Sequence, residues 1–223
     1  MSPEEIIQKL SPFVTCERLE KFYKVAARRT NQLTIILENL YQEHNISAIL
    51  RTCDCLGIRD VHVVERNNSF KINEEVALGA SQWLNLFRYS TDNLPDHYSD
   101  PIEFCCEGLK QQGYLLAATI PDRHALNVYE CPIQQPIALL LGTEIHGLTD
   151  SALRRADIKL FFPMRGFTDS FNVSVSAALF LNTLMRKMEE NGNLVFLNQK
   201  EQEQLIAEWL LRTVKYAHAI LKR

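Results

Sequence analysis

One polar loop holds most of the side chains suited to chemistry. The loop, residues 163–176, follows an apolar strand-like segment (158–162) and precedes an apolar helical segment (177–185). It carries the hydroxyl of Ser170 and the side-chain amide of Asn172. Loops between a buried strand and a buried helix commonly form ligand sites in α/β proteins, and the free N–H groups that begin a helix bind oxygen-bearing ligands. Asn172 could equally serve only as the cap of the following helix.

Two further segments contain candidate functional residues, among them the charged Arg51 and Glu144. Residues 44–52, at the start of a predicted helix, read H-N-I-S-A-I-L-R-T and contain Asn45 and Arg51. Residues 139–148 read L-L-L-G-T-E-I-H-G-L, a strand entering a glycine-containing turn. A guanidinium is a poor base, since its pKa exceeds ~12, but it binds phosphate through two parallel hydrogen bonds. Without the surrounding pattern, Arg51 would be read as an ordinary surface arginine of a helix.

The three segments together resemble the three signature motifs of the SpoU (TrmH) family of RNA ribose 2′-O-methyltransferases, in the SPOUT superfamily. The family patterns are N-x-(G/S)-A-x-x-R, then L-G-x-E-x-x-G, then P-M-x-G-x-x-x-S-(hydrophobic)-N-V-S. All three occur here in the family order, and the resemblance extends over about residues 26–190. One position departs from the pattern, because Phe171 stands where Leu is commoner.

The resemblance implies S-adenosylmethionine as the methyl donor. In the family, the positions matching Thr119, Phe162 and Phe171 contact this cofactor, and those matching Gly142 and Glu144 line the same pocket. Apolar rings and irregular backbone are suited to an adenine ring, and glycine lets the backbone approach closely. Core packing alone would also account for both phenylalanines.

The resemblance also implies the catalytic set. The position of Arg51 is proposed in the family to activate the ribose 2′-hydroxyl, and the phosphate-binding chemistry of arginine suggests that it also fixes the substrate. Asn45 is expected to cap its helix and to hold the loop that positions Arg51. Glu144 is expected to pair with an arginine or to order the knot loops, although a solvated loop acid would fit the sequence equally. Ser170 and Asn172 are expected to hold the catalytic loop and the target ribose.

The expected substrate is tRNA. The segment 26–29, with Arg28 and Arg29, and the short chain are most like family members that methylate the guanosine at position 18 of the tRNA D-loop. Both ends of the chain are locally basic although the net charge is −3. These basic segments either bind the RNA backbone or are solvated faces of amphipathic helices. Alternatives are ribosomal RNA, another tRNA position, or an inactive RNA-binding homologue. The family also implies a homodimer.

Composition sets the remaining limits. The chain has 223 residues and is 46% hydrophobic, enough for a full core. No apolar run approaches the ~20 residues of a membrane span, and the first residues lack a signal-peptide pattern, so we expect a cytoplasmic protein. Six cysteines lack the paired spacing of a zinc site, and we expect reduced thiols and no metal.

Alternating strand and helix patterns predict an α/β fold with a parallel sheet flanked by helices. The resemblance adds a C-terminal trefoil knot, which periodicity cannot reveal. Strands are predicted over 33–37, 61–64, 84–89, 114–119, 137–141 and 158–162, and helices over 45–56, 73–80, 102–112, 151–156, 173–190 and 202–221. Two helices are expected within residues 3–29. The predicted domains are an N-terminal helical extension (1–30), a SPOUT methyltransferase domain (31–192) and a C-terminal helix (193–223).

Overall fold

The computed structural model describes residues 1–68 and 70–222. It divides into two compact units, Asn31–Leu194 and a second unit in which Met1–Thr30 is joined with Val195–Arg223. The sequence prediction treated the two ends of the chain as separate segments. Within the described residues, no helix is both long enough and apolar enough to cross a membrane.

The larger unit is built on a seven-stranded sheet in which all pairings are parallel, with the order β3-β2-β1-β6-β4-β7-β5. Its strands are β1 (Leu33–Glu38), β2 (Asp60–Val64), β3 (Asn85–Tyr89), β4 (Leu115–Thr119), β5 (Leu126–Asn127), β6 (Ile137–Leu141) and β7 (Ile158–Phe161). Its helices are α3 (Glu43–Cys55), α4 (Glu74–Ala77), α5 (Pro101–Gln111), α6 (Asp150–Arg155) and α7 (Val173–Glu190).

The central strands β1 and β6 are buried along their whole length. Because successive side chains of a strand point to opposite faces, their apolar residues supply two cores. On one face, Ile35 and Leu139 pack with residues of α3 and α7. On the other face, Ile36 and Leu140 pack with residues of α5 and α6. The predicted parallel sheet with helices on both faces is therefore confirmed, and the knot stays a prediction.

Most element bounds agree with the sequence patterns to within about two residues, and α7 and β6 agree at both ends. The two-residue strand β5 was not predicted, because a segment that short carries no periodicity. The helix predicted over 73–80 is shorter, ending at Ala77, because Leu78 adopts a left-handed conformation with φ of 48°.

The smaller unit contains α1 (Pro3–Leu10), α2 (Cys16–Ala26), α8 (Gln199–Thr213) and α9 (Ala217–Leu221). The prediction of one helix over 202–221 was wrong. The chain leaves helical geometry at Val214, which is extended, and at Tyr216, which has a φ of 61°. A reciprocal cap between Asn198 and Glu201 starts α8 three residues earlier than predicted.

Arg29 lies inside the smaller unit, which corrects its expected role as a phosphate contact. The side chain is 0% exposed, and its guanidinium carbon lies 5.7 Å from the ring centre of Trp209, which is also buried. Its carbonyl accepts a hydrogen bond of 2.9 Å from the amide of Leu197. Arg29 therefore helps join the two ends of the chain, whereas Arg28 remains exposed.

Candidate functional site

A cavity of about 410 Å³ opens at the carboxyl ends of β4, β6 and β7. This is the edge at which parallel α/β sheets bind ligands, and the volume lies in the range of small-molecule pockets. All five residues predicted to hold the cofactor line this cavity: Thr119, Gly142, Glu144, Phe162 and Phe171. The fold thus brings them together, although they come from four separate stretches of the chain.

A tight turn over residues 142–148 forms one wall of the cavity. Thr143 and Gly147 exchange two backbone hydrogen bonds, of 3.1 and 2.8 Å. Gly142 packs directly against the end of this turn: a Cβ atom there would lie 2.1 Å from the carbonyl carbon of Gly147 and 2.3 Å from the nitrogen of Leu148. Only glycine allows this approach, so the shape of the wall depends on that residue.

Aromatic rings form a further part of the lining. The ring centre of Phe162 lies 6.1 Å from that of Phe171 and 5.7 Å from that of Phe180, both in edge-on arrangements. Phe171 is 40% exposed, so the wall is open to solvent on one side. The hydroxyl of Thr119 donates to the carbonyl of Leu140 over 2.9 Å, which leaves its oxygen free to accept a further hydrogen bond. The lining is suited to an aromatic ring with polar edges.

A chain of side-chain amides joins the three motifs beside this cavity. Asn172 accepts hydrogen bonds from the amide and the hydroxyl of Ser174, at 2.9 and 2.6 Å. Its nitrogen then donates to the side-chain oxygen of Asn45 over 3.1 Å. The nitrogen of Asn45 in turn donates to the carboxylate of Glu144 and to Gln42. Donors and acceptors alternate along this series of hydrogen bonds, so the orientation of each side-chain amide follows from that of its neighbour.

The expected capping role of Asn45 is wrong. Helix α3 begins at Glu43, with Gln42 as its N-cap residue and no side-chain cap bond. Asn45 therefore lies inside the first turn of the helix, from which its amide can reach Glu144. Asn172 does cap α7, and it contacts Asn45 at the same time, so the two readings of that residue are compatible.

Ser170 lines the cavity and is exposed on the loop before α7. Ser176, one turn into α7, lines the same cavity, as do Ile120 and Met164. Sequence reasoning assigned no site role to these last three. Ile120 directly follows a buried strand and Met164 lies within the third motif, which are the signals that could have identified them.

Arg51 lies apart from this cluster within one chain. It is exposed on α3 and lines a second cavity, also of about 410 Å³, with Ala178 and Asn182 of α7. No hydrogen bond or ion pair of its guanidinium is found among residues 1–68 and 70–222. The side chain is therefore available to a phosphate, but a single chain does not place it in the first cavity.

Over the described part of the chain, no group of three or more His, Cys, Asp or Glu residues is arranged to hold a metal ion.

Comparison with known proteins finds consistent relatives. The model of the SpoU rRNA Methylase family matches residues 32–182. A tRNA (guanosine(18)-2'-O)-methyltransferase of Borreliella burgdorferi is 35% identical over 206 residues, covering 92% of this chain and 90% of that protein. A protein of the same name from Thermus thermophilus is 32% identical, covering 86% of this chain and 95% of its own. The crystal structure of the Aquifex aeolicus TrmH/SpoU tRNA modifying enzyme superposes with a TM-score of 0.77 at 28% identity, covering 89% and 98% of the two chains.

Proposed function

Because the chain belongs to the SpoU rRNA Methylase family, we propose that it methylates the ribose 2′-hydroxyl of an RNA nucleotide with S-adenosylmethionine as donor. The observation that carries this proposal is the series of hydrogen-bonded side chains from Asn172 through Asn45 to Glu144, which joins the three motifs and ends at a residue that lines the cavity. Ser170 and Phe171, which precede Asn172 in the third motif, line the same cavity, so residues of two motifs converge on a ligand-sized opening.

The cavity fits the proposed cofactor. Phe162 and Phe171 offer apolar surface for the adenine ring, and the backbone of the 142–148 turn offers polar groups for its edge. Glu144 supplies a negative charge beside the cavity, which suits the cationic donor. When bound there, S-adenosylmethionine supplies a methyl group activated by the positive sulfur.

The residues of the chain would then position and activate the hydroxyl. As the 2′-oxygen bonds to the methyl carbon, the bond from that carbon to sulfur breaks and leaves a neutral thioether, and the hydroxyl proton passes to water. Negative charge builds on the oxygen as this proton leaves, before the new bond is complete. A guanidinium close to it would stabilise that charge, and the same fork can hold the adjacent phosphate. We assign this role to Arg51. We assign to Ser170 and Asn172 the task of holding the loop and the ribose.

The separation of Arg51 from the first cavity supports a homodimer in which a second copy completes the site. The outer face of α7 beside Arg51 is apolar: Val175 is 45% exposed, and Ala178 and Leu179 are half-buried. Such a face is more apolar than solvent contact requires. Docking two copies through it would bring groups of the second copy next to Arg51.

The relatives favour tRNA, with guanosine 18 of the D-loop as the target. The experiment is to incubate the protein with radiolabelled methyl donor and, in separate reactions, unmodified tRNA or unmodified ribosomal RNA, and then to map the methylated nucleotide. We expect label on the 2′-oxygen of guanosine 18, and an at least hundredfold lower rate with Asn172→Ala, since a positioning group in an active site is worth several kcal/mol. Label on ribosomal RNA alone would refute the tRNA assignment, and no label on any RNA would refute the activity.

The shared site has its own test. Arg51→Ala and Asn172→Ala proteins are each expected to be inactive. If Arg51 and Asn172 of different subunits serve one site, mixing the two variants under subunit exchange restores part of the activity. A monomer by light scattering, or mixed protein that stays inactive although exchange is demonstrated, would contradict the dimeric site.

A further inference from the structure

A buried carboxylate lies behind the cavity wall, outside all three motifs. Glu38 is the last residue of β1 and is 1% exposed. It accepts two hydrogen bonds from Thr149: one from the backbone amide over 2.9 Å and one from the hydroxyl over 2.6 Å. Burying a carboxylate costs free energy unless its oxygens accept hydrogen bonds. The two bonds from Thr149 therefore stabilise the buried Glu38, and the charge of Glu38 in turn fixes the position of Thr149.

Thr149 connects this contact to the cavity. It is the N-cap of α6, where its hydroxyl oxygen accepts from the amide of Ala152 over 3.3 Å. Leu148, its neighbour, lines the cavity at the end of the 142–148 turn, and Leu153 of α6 also lines it. The two bonds to Glu38 therefore fix the point at which the turn passes into the helix.

The other side of Glu38 is held by a second loop. Arg66 lies 3.7 Å from the Glu38 carboxylate through its Nε, and its terminal nitrogen binds both oxygens of Asp100, the N-cap of α5. Asn39, next to Glu38, accepts hydrogen bonds from the amides of residues 66, 67 and 68, at 3.4, 3.1 and 3.1 Å. The loop after β2 is thus wrapped around the end of β1, and it supplies the positive charge that balances Glu38.

We propose that Glu38 is a positioning residue that anchors the 142–148 turn to the central strand and thereby sets the geometry of the cofactor cavity. The part of this inference that concerns the cofactor rests on the proposed function. The carboxylate does not line the cavity, so it acts through Thr149 and the turn.

The test compares Glu38→Gln with a matched control on the same strand. Thr34 is also buried, lies on the same face of β1 as Glu38, and donates its hydroxyl to the carbonyl of Asp60 over 2.7 Å. Thr34→Val removes that bond without touching the turn. Glu38→Gln keeps the size of the side chain but removes the charge and places an N–H group beside Thr149 and Arg66, which are donors.

Hydrogen exchange in the protein without cofactor gives a readout independent of any activity. In Glu38→Gln, we expect the amides of Thr143, Gly147 and Thr149 to exchange at least about tenfold faster, which corresponds to about 1.4 kcal/mol, while amides of β4 change little. In Thr34→Val, the amides of the turn should keep their protection. Equal acceleration of the turn and β4 in Glu38→Gln would show that Glu38 supports only the fold, and an unchanged turn would overturn the anchor.

Cofactor binding gives the second readout. We expect the dissociation constant of S-adenosylmethionine to rise about tenfold in Glu38→Gln. The kcat at saturating cofactor should stay within about twofold, because cofactor bound against the turn would hold the turn, and Glu144 with it, in place. Thr149→Ala should give the same split, and Thr149→Ser should restore wild-type binding. A drop in kcat without weaker binding, or normal binding in Thr149→Ala, would overturn the inference.

The two proposals fail in different ways. If the unaltered protein binds no S-adenosylmethionine in calorimetry, the proposed cofactor is wrong, and the exchange experiment still decides whether Glu38 anchors the turn. If the unaltered protein binds the cofactor and Glu38→Gln, folded to the same extent, binds it equally well, the proposed function stands and the positioning role is refuted.

Discussion

Gly142→Ala should damage the cavity without loss of any chemical group. The added Cβ would lie 2.1 Å from the carbonyl carbon of Gly147, and ordinary contacts begin at 3.4 Å, so the turn must shift by about 1.3 Å. Such a shift cannot preserve the two Thr143–Gly147 hydrogen bonds of 2.8 and 3.1 Å. Losing both costs about 2 kcal/mol, and the residual strain adds about 1–3 kcal/mol.

The matched control is Gly108→Ala. Gly108 lies within α5, and a Cβ there would meet no atom within 4 Å. Because glycine weakens a helix interior by about 0.5–1 kcal/mol relative to alanine, this control should be slightly stabilising. The two substitutions add the same methyl group and differ only in what surrounds it.

Urea denaturation measures the free energy of unfolding of both variants, and calorimetry measures their affinity for S-adenosylmethionine. We expect Gly142→Ala to unfold at clearly lower urea and to bind the cofactor at least about tenfold more weakly, which is the factor for 1.4 kcal/mol. A Gly142→Ala protein within about 0.5 kcal/mol of the unaltered protein, and with normal affinity, would refute the close-approach argument, since that is the usual range of an innocuous substitution.

Three further predictions concern charged groups. Arg51→Ala should abolish methyl transfer while leaving cofactor affinity unchanged, and Arg51→Lys should also fail because an ammonium lacks the planar fork; near-normal turnover of the lysine variant would contradict the forked contact. Burial lowers the pKa of His62 from 6.5 to about 4, so the unfolded chain takes up its proton first and about 3 kcal/mol of stability is lost as the pH falls from 6.5 to 4. Urea denaturation across that range should show a shallower loss in His62→Gln, and identical slopes would rule out His62 as the cause. Arg28→Ala should lower the slope of log K for tRNA binding against log salt concentration by about 1, with little effect on the free energy of unfolding. Arg29→Ala should instead cost about 2–3 kcal/mol of stability, because its buried side chain packs on Trp209. The reverse pattern would contradict the burial argument.

The amino-acid sequence by itself determined most of the elements and which residues would line the candidate site. The apolar run 137–141 predicted both ends of β6, and the polar loop before residue 173 predicted where α7 begins. Backbone hydrogen bonding and side-chain periodicity act over a few residues, so short windows contain what is needed. The motif pattern likewise identified Thr119, Gly142, Glu144, Phe162 and Phe171, which the fold places around one cavity.

The tertiary structure alone decided which of these groups meet. Asn45 bonds Glu144 and Asn172, which are 99 and 127 residues away, and Glu38 bonds Thr149 across 111 residues. No local pattern encodes such pairs, because they depend on the order in which parallel strands are placed in the sheet. Burial of Arg29 also depends on distant residues. Its sequence neighbours Arg28 and Thr30 are basic and polar, and its side chain is buried only because the two ends of the chain pack against each other.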